Sequence, residues 1–189
     1  MYIVISAIRC SLPSVSINVF GKSLGGHDDI LPWLTIHHLI HSHPGITDMT
    51  TKITPVAIGL ILKGDKVLLG KRNSGHFSGF WEYPGGKIEP FETSYEALLR
   101  EMHEELSIHV TNASDILHIR DEHPLSIIHL QVWLVHDFQG QILANEQQEL
   151  QWANISDLDI INIIPTNIPI THYLKQLTAQ GQLDTVLSI

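Results

Sequence analysis

The sequence predicts an α/β fold, and three observations carry that reading. Two runs rich in β-branched and aliphatic residues, Ile53–Leu62 and Ser126–Phe138, have the length and composition of strands. Between them, residues 93–106 combine an N-terminal capping signal with an apolar stripe of helical period. A second helical pattern, Thr171–Gln180, lies near the end of the chain, and Gly181 is a natural stop for it.

In chain order, Ile53–Leu62 is the first orderly strand. Lys63-Gly64-Asp65 is a turn sequence, so Lys66–Lys71 reads as its hairpin partner. Asn73–Phe80 reads as a loop. It leads to a short segment, Trp81–Tyr83, and then to Pro84-Gly85-Gly86. Thr93 followed by Glu96 forms a capping box for the next helix. On that helix Tyr95, Leu98, Leu99, Met102 and Leu106 recur with the spacing of a buried stripe. Ser126–Phe138 is a long strand, and Glu149–Trp152 reads as another.

The first fifty residues differ in character. Their patterning is irregular, and they hold His27, His37, His38, His41 and His43. We read residues 1–50 as an N-terminal extension of unknown role and residues 51–183 as the folded domain. Met49 stands just before the first strand, so an alternative start there would make the upstream residues an artefact of gene calling. The cluster HHLIHSHP could hold a transition metal through imidazoles. Its spacing matches no known metal motif, which favours a tail with incidental histidines.

Composition narrows the function. The chain has 189 residues, enough for one domain with a substantial core. Eleven basic against twenty acidic residues give a net charge of −9, which argues against a stable grip on a nucleic-acid backbone. A single cysteine, Cys10, excludes an intrachain disulfide and fits a reducing cytoplasm. No apolar run is long enough for a membrane span, and the first residues lack the basic start of a signal peptide.

The chemistry gathers on the first helix. Residues three and four apart share a helical face, so Glu101, Glu104 and Glu105 crowd and repel one another. A cation among them would relieve that cost. Hard divalent cations take oxygen ligands, and Mg²⁺ is held by one or two carboxylates plus substrate phosphates. On composition alone, a solvated acidic face is the competing reading.

The longer spacing favours the cation. Gly86, Glu92, Arg100, Glu101, Met102, Glu104, Glu105 and Ile108 fill every fixed position but one of the Nudix signature, G-x5-E-x7-R-E-U-x-E-E-x-G-U. The departure is Ser107, where the family has glycine. A non-glycine residue in a left-handed helix cap costs ~1 kcal/mol, but it removes no ligand. From about Ile53 to Leu177 the chain resembles MutT-type nucleoside triphosphate pyrophosphohydrolases. The resemblance runs through Trp81–Glu89, Ile127–Leu130 leading into Trp133, Glu146 ahead of Trp152, and Pro165–Pro169.

That resemblance implies a Nudix α/β/α sandwich around a mixed β-sheet. It implies Mg²⁺-dependent hydrolysis of a nucleoside triphosphate to the monophosphate and pyrophosphate, with Mn²⁺ as a substitute. The preferred substrate would be 8-oxo-dGTP, and the role would be to clear oxidised nucleotides before they cause mutation. Glu101, Glu104 and Glu105 would be metal ligands, joined by the Gly85 carbonyl. Glu146 would act as a further ligand or as general base, against the alternative of an ordinary loop glutamate. Arg100 would orient the cluster by pairing with Glu92.

For the substrate, Arg72 matches a family residue that contacts phosphate or base. His76 is either a pocket residue or a surface histidine. Tyr83, with its neighbours Glu82, Pro84 and Gly85, would line the base pocket through ring and backbone; a core tyrosine is the alternative. Asn167 carries a donor and an acceptor on one amide and could read a base edge bidentately, although asparagine before Ile-Pro also forms turns. A further departure is Ser126, where the oxidised-guanine enzymes have arginine. Two rival readings remain: a CTP or 5-methyl-dCTP pyrophosphohydrolase, and a non-catalytic Nudix binding module. The expected partner is a small nucleotide, and the expected state a monomer.

Overall fold

The computed structural model describes residues 4–6, 15–19, 51–123 and 126–183. The strands are β1 (Val4–Ser6), β2 (Val15–Val19), β3 (Lys52–Lys63), β4 (Lys66–Lys71), β5 (Trp81–Glu82), β6 (Gly85–Lys87), β7 (His109–His123), β8 (Ser126–Gln139) and β9 (Leu150–Asn154). The helices are α1 (Ser94–Leu106) and α2 (Ile168–Ala179), with short 3-10 turns at Ile155–Ile160 and Pro165–Asn167. The strands run in the order β1-β2-β7-β8-β3-β4-β5, with β6 also on β3 and β9 also on β4. β3 lies parallel to β8, whereas β7 and β8 are antiparallel, so the sheet is mixed. No helix among the described residues is long and apolar enough to cross a membrane.

Successive side chains on a strand point to opposite faces. Along β3, Ala57 and Ile61 join the core beneath α1, while Ile58 and Leu60 join the core beneath α2. Both faces are covered, which explains the continuous apolar run in the sequence. Ala97, Leu98, Met102 and Leu106 of α1 fill one core; Ile170, Leu174 and Leu177 of α2 fill the other. The result is the expected α/β/α sandwich. Gly59 sits between the two sets, and a Cβ there would lie 2.8 Å from Met102 Sδ. Glycine at this point lets α1 press on the sheet.

The α1 cap is made as its residues predict. The Glu96 N–H donates to Thr93 Oγ1 at 3.2 Å, and the Thr93 N–H donates to Glu96 Oε2 at 2.7 Å. Trp133 Nε1–H donates to Ser94 Oγ at 2.8 Å, which ties the start of α1 to β8. At the other end Ser107 takes the left-handed conformation at φ 58° in place of the family glycine.

Several boundaries differ from expectation. β7 had no strand signature, because HVTNASDILHIRDEH is mostly polar. Its backbone nevertheless pairs with β8 from His109 opposite Gln139 to His123 opposite Ser126, through register shifts, and Leu117 and Ile119 are buried. Gly85–Lys87, which carries no strand signature, forms a strand antiparallel to β3. α2 starts earlier than Thr171, because Pro169 is tolerated in the first helical turn.

The N-terminal extension also contributes strands. β1 pairs antiparallel with β2, and β2 pairs parallel with β7, extending the sheet at that edge. The HHLIHSHP cluster and Met49 lie outside the described residues. Deleting residues 1–48 is expected to leave a folded and active domain, since β7 keeps its ladder to β8 and no signature residue is lost. Soluble expression and specific activity of the truncated chain check this. A large loss of either would show that the added strands hold the sheet together.

Candidate active site

The site is built where β6 and α1 meet. Gly85 has φ 140°, and a Cβ there would overlap the Ala57 carbonyl of β3. Only glycine meets both demands. Its N–H donates to Glu105 Oε2 at 3.1 Å. Gly86 is constrained differently: a Cβ there would overlap the Glu101 carboxylate. The two glycines therefore bring the strand against the acidic face of α1.

Arg100 organises the outer part of that face. Its Nε and Nη2 donate to the two Glu92 carboxylate oxygens at 2.8 and 2.9 Å. Nη1 donates to Glu101 at 2.7 Å and to Glu104 at 3.2 Å, and Nη2 also donates to the Lys87 carbonyl at 3.0 Å. These bonds from Arg100 hold the Glu92 carboxyl down at about 2. The same contacts raise the Arg100 pKa further above its ordinary value, so it is a permanent cation.

The inner carboxylates behave oppositely. Burial pushes Glu105 up to about 8, with the charges of Glu101, Glu146 and Glu82 adding to the shift against the Gly85 hydrogen bond. Burial also raises Glu101 despite Arg100, and Glu82 despite its 2.8 Å ion pair with Arg72. Four acidic groups thus face one region, and only two carry an arginine partner. A cation would restore the balance, so the residues fit the divalent ion expected from the sequence. No three of the described acidic or histidine side chains already converge on a single point. The carboxylates share a cavity, and an ion would have to draw them together.

That cavity encloses about 750 Å³. Its acidic end is formed by Glu82, Gly85, Glu101, Glu105 and Glu146. Val56, Ile58, Ile128 and Leu130 line the cavity with apolar surface, and Phe77, His76 and Asn167 line it as well. A smaller cavity of about 310 Å³ shares Arg72, Glu82, Gly85, Glu105 and Glu146 and continues past Lys71, Asn73 and Pro84. Arg72 stands at the junction, and its buried Nε has no hydrogen-bond partner.

Most expected residues thus share one place. Glu104 does not line either cavity. Its side chain is 53% exposed and engages Arg100, because position 104 is turned round the helix from the 101/105 pair. The Tyr83 ring also lies elsewhere than expected. It is packed in the core beneath α2, and its hydroxyl bonds Thr171 Oγ1 at 2.9 Å. Burying so large a ring is favourable once that hydroxyl has a partner. Tyr83 reaches the site only through its backbone, whose N–H donates to Asn167 Oδ1 at 3.1 Å.

Asn167 is 2% exposed. The Tyr83 N–H fixes which way its amide faces, so Oδ1 is engaged and Nδ2 is left to donate. Sequence reasoning missed Phe77, a half-buried aromatic at φ 64°, and Gln148 beside the loop glutamate. Neither falls in a motif, so no local signal points to them.

The NUDIX domain family matches residues 53–174. The CTP pyrophosphohydrolase of Escherichia coli is 34% identical over 134 residues, which cover 70% of this chain and 99% of that protein. The 8-oxo-dGTP diphosphatase of Haemophilus influenzae is 34% identical over 132 residues, covering 69% and 97%. Among solved structures, a MutT from work on the Aliivibrio salmonicida and Vibrio cholerae proteins superposes with a TM-score of 0.57 at 32% identity. It spans 68% of this chain and 99% of its own.

Proposed function

The chain belongs to the NUDIX domain family, and from that premise we propose that it is a pyrophosphohydrolase of nucleoside triphosphates with 8-oxo-dGTP as preferred substrate. The observation that carries the reading is one cavity lined by the carboxylates Glu82, Glu101, Glu105 and Glu146, by the apolar side chains Val56, Ile58 and Leu130, and by Asn167. A nucleotide is anionic at one end and carries a flat, hydrogen-bonding base at the other. The cavity offers a place to each.

In the reaction a water oxygen bonds to phosphorus, a phosphoanhydride P–O bond breaks, and pyrophosphate leaves. The water gives up a proton, for which Glu146 is the exposed acceptor at the cavity. Glu101, Glu104 and Glu105, with the Gly85 carbonyl, would hold Mg²⁺, and Glu146 would join them where it does not take the proton. When bound, the ion supplies charge neutralisation on the phosphates and a more acidic water. Arg72 lines both cavities, so its guanidinium would meet a phosphate oxygen there. Arg100 keeps Glu101 oriented and touches no substrate in this reading.

The base end favours guanine. Asn167 presents a donor, which suits the O6 acceptor of a guanine; cytosine offers its N4 amine, itself a donor. The second reading, a CTP-type enzyme, is favoured by Ser126 standing in place of the arginine and by the Escherichia coli relative. A panel of oxidised and normal triphosphates, ranked by kcat/KM with Mg²⁺, decides between them. Pyrophosphate release from none of them would leave the binding-module reading.

Two variants sharpen that test. Asn167→Ala is expected to reduce the 8-oxo-dGTP over dGTP preference by about tenfold to a hundredfold. It should also lower the melting temperature, because the buried Tyr83 N–H loses its acceptor. Asn167→Asp retains that acceptor and replaces the donor. It is expected to stay folded while shifting preference from oxidised guanine towards CTP. An unchanged kcat/KM ratio in both variants removes Asn167 from the base pocket.

A further inference from the structure

Gln148 bridges the two acidic parts of the site. Its Oε1 accepts the Glu146 N–H at 2.9 Å, and its Nε2 donates to the Glu105 carbonyl at 2.9 Å. One amide thus joins the loop that carries Glu146 to the last turn of α1.

The reason for this arrangement lies at the helix end. The last four carbonyls of an α-helix have no partner within the helix. Those of Glu105 and Leu106 are taken up by the loop after β8. The Leu143 N–H donates to Leu106 at 3.0 Å, and the Asn145 N–H donates to Glu105 at 3.1 Å. Gln148 Nε2 is the second donor on the Glu105 carbonyl. The chain reverses at Gln147, held at φ 59°, so that Gln148 can reach back to the Glu146 amide. Asn73 Nδ2 donates to the Glu146 carbonyl at 3.3 Å from the opposite loop. Gln148 is half-buried and lines the smaller cavity beside Glu105, whereas Glu146 is exposed.

We propose that Gln148 is a positioning residue that sets Glu146 at a fixed distance from the Glu105 turn of α1. An exposed glutamate on a loop would otherwise sample many rotamers and backbone states, at a cost in entropy when it is used. The amide bridge removes the backbone part of that freedom. It also makes the loop and the helix move together, so an ion or water held by Glu105 stays in register with Glu146. The catalytic relevance of the bridge rests on the function proposed above, whereas the bridge itself does not.

The test uses the full chain with Gln148→Met, which preserves length and removes both hydrogen bonds. The first readout is hydrogen exchange at the Glu146 amide without metal. About tenfold faster exchange is expected there, with unchanged exchange in β4 and an unchanged melting temperature. Unchanged exchange at Glu146 overturns the bridge. The second readout is a double-mutant cycle with Glu146→Gln. Alone, Gln148→Met is expected to lower kcat by about tenfold to a hundredfold with little change in KM. In the Glu146→Gln background it should add less than about threefold. An equal loss in both backgrounds overturns the proposal, because the glutamine would then act independently of Glu146. If Gln148→Met does not fold, Gln148→Glu serves, since it keeps the acceptor for the Glu146 N–H, loses the donor to Glu105 and adds one negative charge. It should keep Glu146 protected and lose part of the rate; full activity overturns the role of the Glu105 anchor. A wild-type protein that turns over no triphosphate sinks the functional reading, and the exchange experiment still judges the bridge.

Discussion

Glu105→Gln is expected to abolish turnover and to leave a folded protein of equal or greater stability. The carboxylate is largely buried, accepts the Gly85 N–H, and is pushed up to about 8 by burial and by its acidic neighbours. A glutamine oxygen can still accept that N–H. Below about pH 8 the substitution therefore replaces a neutral carboxyl by a neutral amide, and above it removes an unfavourable buried charge. In the proposed reaction it also removes one of the carboxylates that would hold Mg²⁺. Loss of that electrostatic stabilisation is expected to cost about a thousandfold or more in kcat at saturating Mg²⁺. The checks are kcat, Mg²⁺ affinity and melting temperature. Near wild-type kcat at saturating Mg²⁺ would dismiss Glu105 as the central ligand.

The same group gives a signed pH effect. Its folded value of about 8 lies above the ordinary 4.5, so between those limits the native state keeps a proton that the unfolded chain has lost. Without metal, stability should fall as pH rises through that window, by up to about 1.4 kcal/mol per pH unit. Glu101 is raised as well and adds in the same direction. Glu92, held at about 2, acts oppositely: its contribution is present above pH 4.5 and fades as pH falls towards 2. Melting temperature against pH should show a shallower decline in Glu105→Gln, and Mg²⁺ should flatten the wild-type curve at its alkaline end.

Gly86→Ala and Gly85→Ala are expected to fail in different ways although the residues adjoin. At Gly86 the nearest atoms the new methyl overlaps are those of the Glu101 carboxylate, the far end of a long side chain. The carboxylate can swing away at small cost to stability. It then leaves the cavity, and kcat/KM should drop by about a hundredfold or more. At Gly85 the methyl meets the Ala57 backbone, and φ 140° is a conformation that side chains rarely adopt. Here the fold itself is at stake, with a loss of several kcal/mol and poor soluble expression. Comparable melting temperatures for the two variants would contradict the distinction. An active Gly86→Ala would show that Glu101 does not need its present place.

The amino-acid sequence determined those features that depend on neighbours within about one helical turn. The capping box at Thr93 and Glu96, the buried stripe of α1, the acidic face, and the β3–β4 hairpin are local, and each follows from spacing and residue type. The signature spacing also placed Glu101 and Glu105 beside each other, since four residues make roughly one turn. Other features needed the tertiary structure, because their partners are far away in sequence. β7 is a strand because β8 offers a ladder to its polar backbone, not because its residues favour one. The Tyr83 ring points away from the cavity because the chain just past the end of β5 turns that position into the core beneath α2. Glu104 is turned round the helix from Glu101 and Glu105, and the seat of α1 on the sheet decides that this angle takes it out of the cavity and towards Arg100. The two glycines carry separate tasks that a shared residue name cannot reveal: one answers to a β3 carbonyl and the other to a carboxylate on α1. Gln148 gains its role when the end of α1 leaves carbonyls unpaired and a distant loop arrives to take them.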